Sequence, residues 1–105
     1  MRPMRASTAA LLVLLAGPAA AQDATCAWSR VAPEGTLEGP CTVQATPSGL
    51  TVSMGTRDWF IREYERVGPW SRASLNGLEA MMFEIDPLRR SYATADLNER
   101  LEVAQ

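Results

Sequence analysis

The reading of residues 58–70, DWFIREYERVGPW, decides the fold. This stretch holds four of the chain's seven aromatic residues, with two arginines, two glutamates and an aspartate among them. Two periodicities compete in it. As a helix, Phe60, Ile61, Tyr64 and Val67 would form an apolar stripe, with Thr56 as cap, Asp58 facing Arg62 one turn on, and Gly68-Pro69 as the stop. As a strand, Trp59 and Ile61 share one face while Phe60, Arg62, Tyr64 and Arg66 share the other. Residue type favours the strand, because Trp, Phe, Ile, Tyr and Val fit a pleated, half-buried surface. A helix of about 11 residues with no face to pack on would also be marginal. The strand reading makes Trp59 and Ile61 core and leaves Arg62, Tyr64 and Arg66 exposed ahead of a Gly-Pro turn.

The flanking sequence agrees with a strand. Turn signals recur at short intervals: Pro33-Glu34-Gly35, Gly39-Pro40, Pro47-Ser48-Gly49, Gly55, Gly68-Pro69, Asn76-Gly77 and Asp86-Pro87. The short segments between them predict an all-β fold, a small antiparallel meander of sandwich or barrel type. Thr42–Ala45 and Leu50–Met54 alternate apolar with polar and would form a hairpin across Pro47-Ser48-Gly49. Asn76-Gly77 is the strongest hairpin signal, since a type I′ turn needs positive φ at both central residues. It predicts pairing of Trp70–Leu75 with Leu78–Ile85, with Met81, Phe83 and Ile85 on the core face. Beyond Asp86-Pro87, Arg90, Tyr92 and Thr94 alternate with Ser91 and Ala93. Asp96 and Glu99 have the spacing of a capping box, which predicts a single helical turn near Asp96. Leu101-Glu102-Val103 then reads as a last short strand.

The N-terminal stretch is of another kind. Arg2 and Arg5 precede an apolar run over Ala9–Ala16 and a small-residue site at Ala19-Ala20-Ala21, the plan of a secretory signal peptide. The apolar run is shorter than the roughly 20 residues a membrane-spanning helix needs. The expected organisation is therefore a signal peptide at 1–21 and a single small β domain at 22–105, periplasmic or secreted after cleavage near Ala21. Cleavage there removes two of the ten basic residues and none of the twelve acidic ones, so eight face twelve and the net charge is −4. That sign argues against nucleic acid and anionic membrane surfaces as partners.

Cys26 and Cys41 are the only cysteines. A zinc site would need further thiolates or imidazoles, and the chain has no histidine and no third cysteine. In an exported chain the pair predicts a disulfide, tying two neighbouring strands and stabilising a small domain by about 3 kcal/mol.

Catalytic options are few. Without histidine, Ser-His-Asp and Cys-His schemes are excluded; without lysine, so are Schiff-base and Ser-Lys schemes. Glu84 with Asp86, or Glu63 with Glu65, would project from one strand face roughly 7 Å apart and form the remaining catalytic option. With twelve acidic residues in so small a chain, solvated strand faces are the simpler account. Glu84 and Asp86 also suggest calcium, but no EF-hand pattern accompanies them. The expectation is no enzyme, no metal and no cofactor.

The feature left over is aromatic residues interleaved with arginine. Arg62, Tyr64 and Arg66, with Trp70, are the predicted partner-binding set, because Arg presents a planar fork of donors and interfaces are rich in Tyr, Trp and Arg. Pairing of Arg62 and Arg66 with acidic groups on a neighbouring strand is the competing account. The set predicts a non-catalytic binding or inhibitor-like module of the cell envelope, whose partner is another exported protein or an anionic ligand. The alternative is a structural or assembly component of the envelope without a ligand site.

From Leu75 onward, LNGLEAMMFEIDPLRRSYATADLNERLEV resembles the C-terminal halves of small exported proteins of high-GC proteobacteria. The shared features are the NG turn, the E-I-D strand end and the Y-A-T-x-D-L stretch. The resemblance implies an exported β-rich domain and no particular activity.

Overall fold

The computed structural model describes residues 21–105, with the backbone but not the side chains of Arg66 and Val67. The signal-peptide reading, apart from Ala21, lies outside the described residues. Eight antiparallel strands follow one another: β1 (Gln22–Arg30), β2 (Gly35–Thr46), β3 (Gly49–Met54), β4 (Arg57–Val67), β5 (Trp70–Leu75), β6 (Leu78–Asp86), β7 (Arg89–Thr94) and β8 (Glu99–Ala104). Each pairs with the next, and β1 pairs with β8 from Thr25↔Ala104 to Arg30↔Glu99, so the meander closes into a barrel. Closure leaves no strand with an unpaired edge. The turns at 31–34, 55–56 and 76–77 and the loop at 95–98 lie at one end, called the upper end; the other connections and the C-terminus lie at the lower end.

Residues 57–67 are a strand, and Trp59 and Ile61 are buried as the alternation predicts. The decision between the two periodicities comes from neighbours on both sides. Val52 of β3 lies opposite Trp59, and Leu75 of β5 lies opposite Ile61. An eight-stranded barrel is just wide enough for side chains to fill, and here Trp59, Tyr92, Ile61, Leu75, Met82, Leu101 and Val52 fill it. Trp28 and Trp59 meet inside with ring centroids 6.1 Å apart.

Cys26 and Cys41 form the predicted disulfide between β1 and β2, with Cα atoms 5.8 Å apart and both residues buried. They sit diagonally in the ladder, Cys26 opposite Gly39 and Cys41 opposite Ala24, and face the barrel interior. The bridge therefore staples the first hairpin from inside.

Asn76 and Gly77 form the predicted hairpin turn, with φ of 52° and 83°. The same turn overturns the core assignment on β6. A two-residue loop places Leu75 opposite Leu78, so Ala73 and Ala80 pair on the buried face and Met82 follows inward. Met81, Phe83 and Ile85 point outward, the reverse of the expectation. Register set by a tight turn outranks the apparent hydrophobicity of a face.

The helical turn near Asp96 is likewise absent: residues 95–98 form a non-helical loop and Glu99 already opens β8. Asp96 does accept a backbone hydrogen bond, but from Asn98 two residues on (2.9 Å), with a second from the Thr94 hydroxyl (2.7 Å). That is an Asx turn, which competes locally with helix capping. These donors hold the Asp96 carboxyl below its usual range, the Thr94 hydroxyl contributing most. The Asn98 side chain then locks the loop to the β1–β2 turn by accepting from the Ala32 N–H (2.9 Å) and donating to the Ala32 carbonyl (3.1 Å).

Candidate binding surface

The outer face of the barrel is not uniform. On β1–β3 the outward residues are mostly polar, Thr25, Ser29, Thr36, Glu38, Thr42, Gln44, Thr51 and Ser53, none of them buried, with Ala27 and Pro40 as the apolar exceptions and Leu37 of β2 40% exposed. On β4–β6 the outward positions carry, beside the charged Asp58, Arg62, Arg72 and Glu79, four large apolar residues, Phe60 (59% exposed), Tyr64 (57%), Phe83 (41%) and Ile85 (45%). Single exposed apolar residues are ordinary on a protein surface, but several on adjoining strands form a patch.

Of the four residues predicted to meet a partner, Arg62 and Tyr64 are brought together on the outer face of β4. The Arg62 guanidinium lies over the Tyr64 ring, 5.4 Å from its centroid. The Tyr64 hydroxyl is 3.4 Å from the Ser74 hydroxyl on β5, and Ser74 is buried although it faces outward. Tyr64 thus bridges two strands while most of its ring remains open. Trp70 opens β5, is half-buried, and pairs in register with Phe83 of β6. Arg66 is placed differently. The β4–β5 register shifts between Glu63 and Arg66, and beyond the bulge Arg66 pairs with Ser71. The alternation that would align Arg66 with Arg62 and Tyr64 is therefore interrupted, and the Arg66 side chain lies outside the described residues.

Sequence reasoning missed Phe60, Phe83 and Ile85 as members of this surface. The signal for Phe83 and Ile85 was present in the Asn76-Gly77 turn, from which counting outward puts Leu78, Ala80 and Met82 on one face. Phe60 is additionally fixed by Asn76, whose side-chain Oδ1 accepts from the Phe60 N–H (2.8 Å) while the Asn76 backbone N–H donates to the Phe60 carbonyl (2.8 Å).

The two carboxylate pairs fare otherwise. The β6–β7 register shifts between Glu84 and Asp86, so Glu84 pairs with Arg90 and Asp86 with Arg89, on opposite faces. Asp86 accepts from the Leu88 N–H (2.9 Å) and from Arg89 Nε (3.0 Å), and these bonds, the backbone one first, lower its pKa. Glu63 precedes the β4 register shift and Glu65 lies within it, so the two do not share a regular face. Glu63 is engaged at the lower end, where the Tyr92 hydroxyl donates to its Oε2 (3.2 Å) and Arg90 Nη1 lies 3.7 Å from the same oxygen. Burial, reinforced by the Glu63 charge, pushes the Tyr92 phenol up to about 12. This network closes the lower end of the core. Among the described residues no group of three or more carboxylates or cysteines is arranged to hold a metal ion.

Comparison of the chain with protein-family models, curated proteins and solved structures finds no match.

Proposed function

We propose that this protein is a non-catalytic binding module of the cell envelope that recognises another exported protein through the outer wall of β4–β6. The observation that carries the reading is the asymmetry of the wall: the exposed aromatic side chains Phe60, Tyr64 and Phe83 all stand on β4–β6, while the outward face of β1–β3 is mostly polar and carries no aromatic residue. Water-exposed Phe and Tyr add nothing to a core already filled from the inner face, and they are the residue types that anchor protein interfaces. Arg62, stacked on Tyr64, adds a directional donor at the edge of the patch. An apolar interior with a partly polar exterior is the opposite of a transmembrane barrel, whose outward band is apolar. The buried disulfide fits an oxidising compartment, in keeping with export.

The test is capture of a partner from a periplasmic extract with the 22–105 domain, followed by titration of the purified pair. Tyr64→Ala with Phe83→Ser should weaken binding at least tenfold and leave the unfolding midpoint nearly unchanged. A large loss of stability with unaltered binding would instead favour a structural role in envelope assembly.

A further inference from the structure

The upper end of the barrel holds an arrangement that the outer wall does not explain. Trp28 projects inward from β1 and is buried, and its indole Nε1–H has no hydrogen-bond acceptor among the described residues. Its six-membered ring lies against Gly35 of β2, where a Cβ would come within 3.2 Å of Cη2 and Cζ3. Two guanidinium groups stack on the same indole: Arg57 from the start of β4, 4.4 Å from the centroid, and Arg30 from the end of β1, 5.1 Å away.

The two arginines are unequally satisfied. Arg30 donates through Nε to the Pro33 carbonyl (2.7 Å) and lies 3.9 Å from Glu99 Oε2. The Arg57 side chain makes no hydrogen bond or ion pair to any described residue; its contact is the indole face. A partly buried guanidinium without a side-chain partner among the described residues thus stacks on the face of the ring whose N–H is buried without an acceptor. Either alone is tolerable. Together they leave one small region rich in donors and short of acceptors, and an unpaired buried N–H is costly.

We propose that the upper mouth of the barrel, at Trp28 and Arg57, is a binding site for a carboxylate. A carboxylate offers two planar acceptor oxygens, so one engages the Arg57 fork while the other accepts from the indole N–H. The opposing charge of Glu99 is directed to Arg30, which leaves Arg57 as the cation that the ligand neutralises. The site stands on a different end of the molecule from the β4–β6 wall and is independent of its role.

The test uses the indole N–H as reporter. In ¹⁵N-labelled 22–105 domain the three tryptophan indole cross-peaks are assigned, and sodium acetate or sodium N-acetylglycine is titrated against sodium chloride at matched ionic strength. Acetate stands for an acidic side chain and N-acetylglycine for a chain terminus; the tighter of the two identifies the source. The expected result is a saturable shift confined to Trp28, absent with chloride and weakened at least tenfold in Arg57→Gln. No carboxylate-specific shift of Trp28 in the wild-type protein overturns the proposal, including the case in which the indole shows only a cross-peak to bound water. A shift that survives Arg57→Gln in a folded variant overturns it as well.

Discussion

The walls formed by β1–β3 and by β4–β6 share one interior and differ in what they show the solvent. Inward, both contribute apolar residues to the same core: Cys26, Trp28, Cys41, Val43 and Val52 from the first, Trp59, Ile61, Ala73, Leu75, Ala80 and Met82 from the second. Outward, the first is mostly threonine, serine, glutamine and glutamate, with Ala27 and Pro40 among them, and the second carries Phe60, Tyr64, Phe83 and Ile85. A closed barrel constrains only its inner face, where volume must be filled. The outer face is free to vary, so its composition carries information about contacts outside the chain.

Trp59→Ala is the harshest way to test the constraint on the inner face. Removing a fully buried indole from β4 should lower stability by about 3–5 kcal/mol in urea unfolding, and a loss below about 1 kcal/mol would mean the interior is not the organising element. On the other wall, replacing Cys26 and Cys41 together by alanine should cost about 3 kcal/mol. A double variant as stable as the parent would show that the first hairpin needs no staple.

The lower end offers a pH test. The Tyr92 phenol is neutral when folded up to about 12, against an ordinary value of 10.0. The neutral phenol therefore supports the fold fully below pH 10, and that support is lost as the pH rises through the folded value. Stability should fall between about pH 10 and 12, by up to about 3 kcal/mol at 1.36 kcal/mol per unit. Tyr92→Phe should flatten that part of the profile; an unchanged slope would assign the loss to other groups.

The smallest expected effect is the one that most sharpens the contrast between walls. Phe60→Ser and Phe83→Ser should each change stability by no more than about 0.5 kcal/mol, as for surface positions generally. If either cost as much as Trp59→Ala, the outer aromatics would be structural and the contrast would lose its functional meaning.

Particular residues show where sequence and tertiary structure divide the work. The alternation of Trp59 and Ile61 with Phe60 and Arg62 was enough to find β4 and its buried face, because β-branched and aromatic types and a period of two point the same way. The Cys26–Cys41 bridge and the Asn76-Gly77 hairpin were also legible, each resting on local chemistry. The face of β6 was misread because the runs Met81-Phe83-Ile85 and Ala80-Met82 are both apolar, and only the register fixed by the turn chooses between them. Asp96 was misread because an aspartate satisfies a backbone N–H equally in a helix cap or an Asx turn.

Of the binding surface, the sequence named Arg62 and Tyr64, and the fold added Phe60, Phe83 and Ile85. By itself the sequence determined strand content, turn positions, the disulfide and the absence of histidine and lysine chemistry, all properties of residue type and short-range spacing. Only the tertiary structure decided that the meander closes, that bulges follow Glu63 and Glu84, and that Trp28, Arg30 and Arg57 meet at one mouth. Those features depend on pairing between strands distant in the chain, β1 with β8 above all, and no local pattern encodes the register of such pairs.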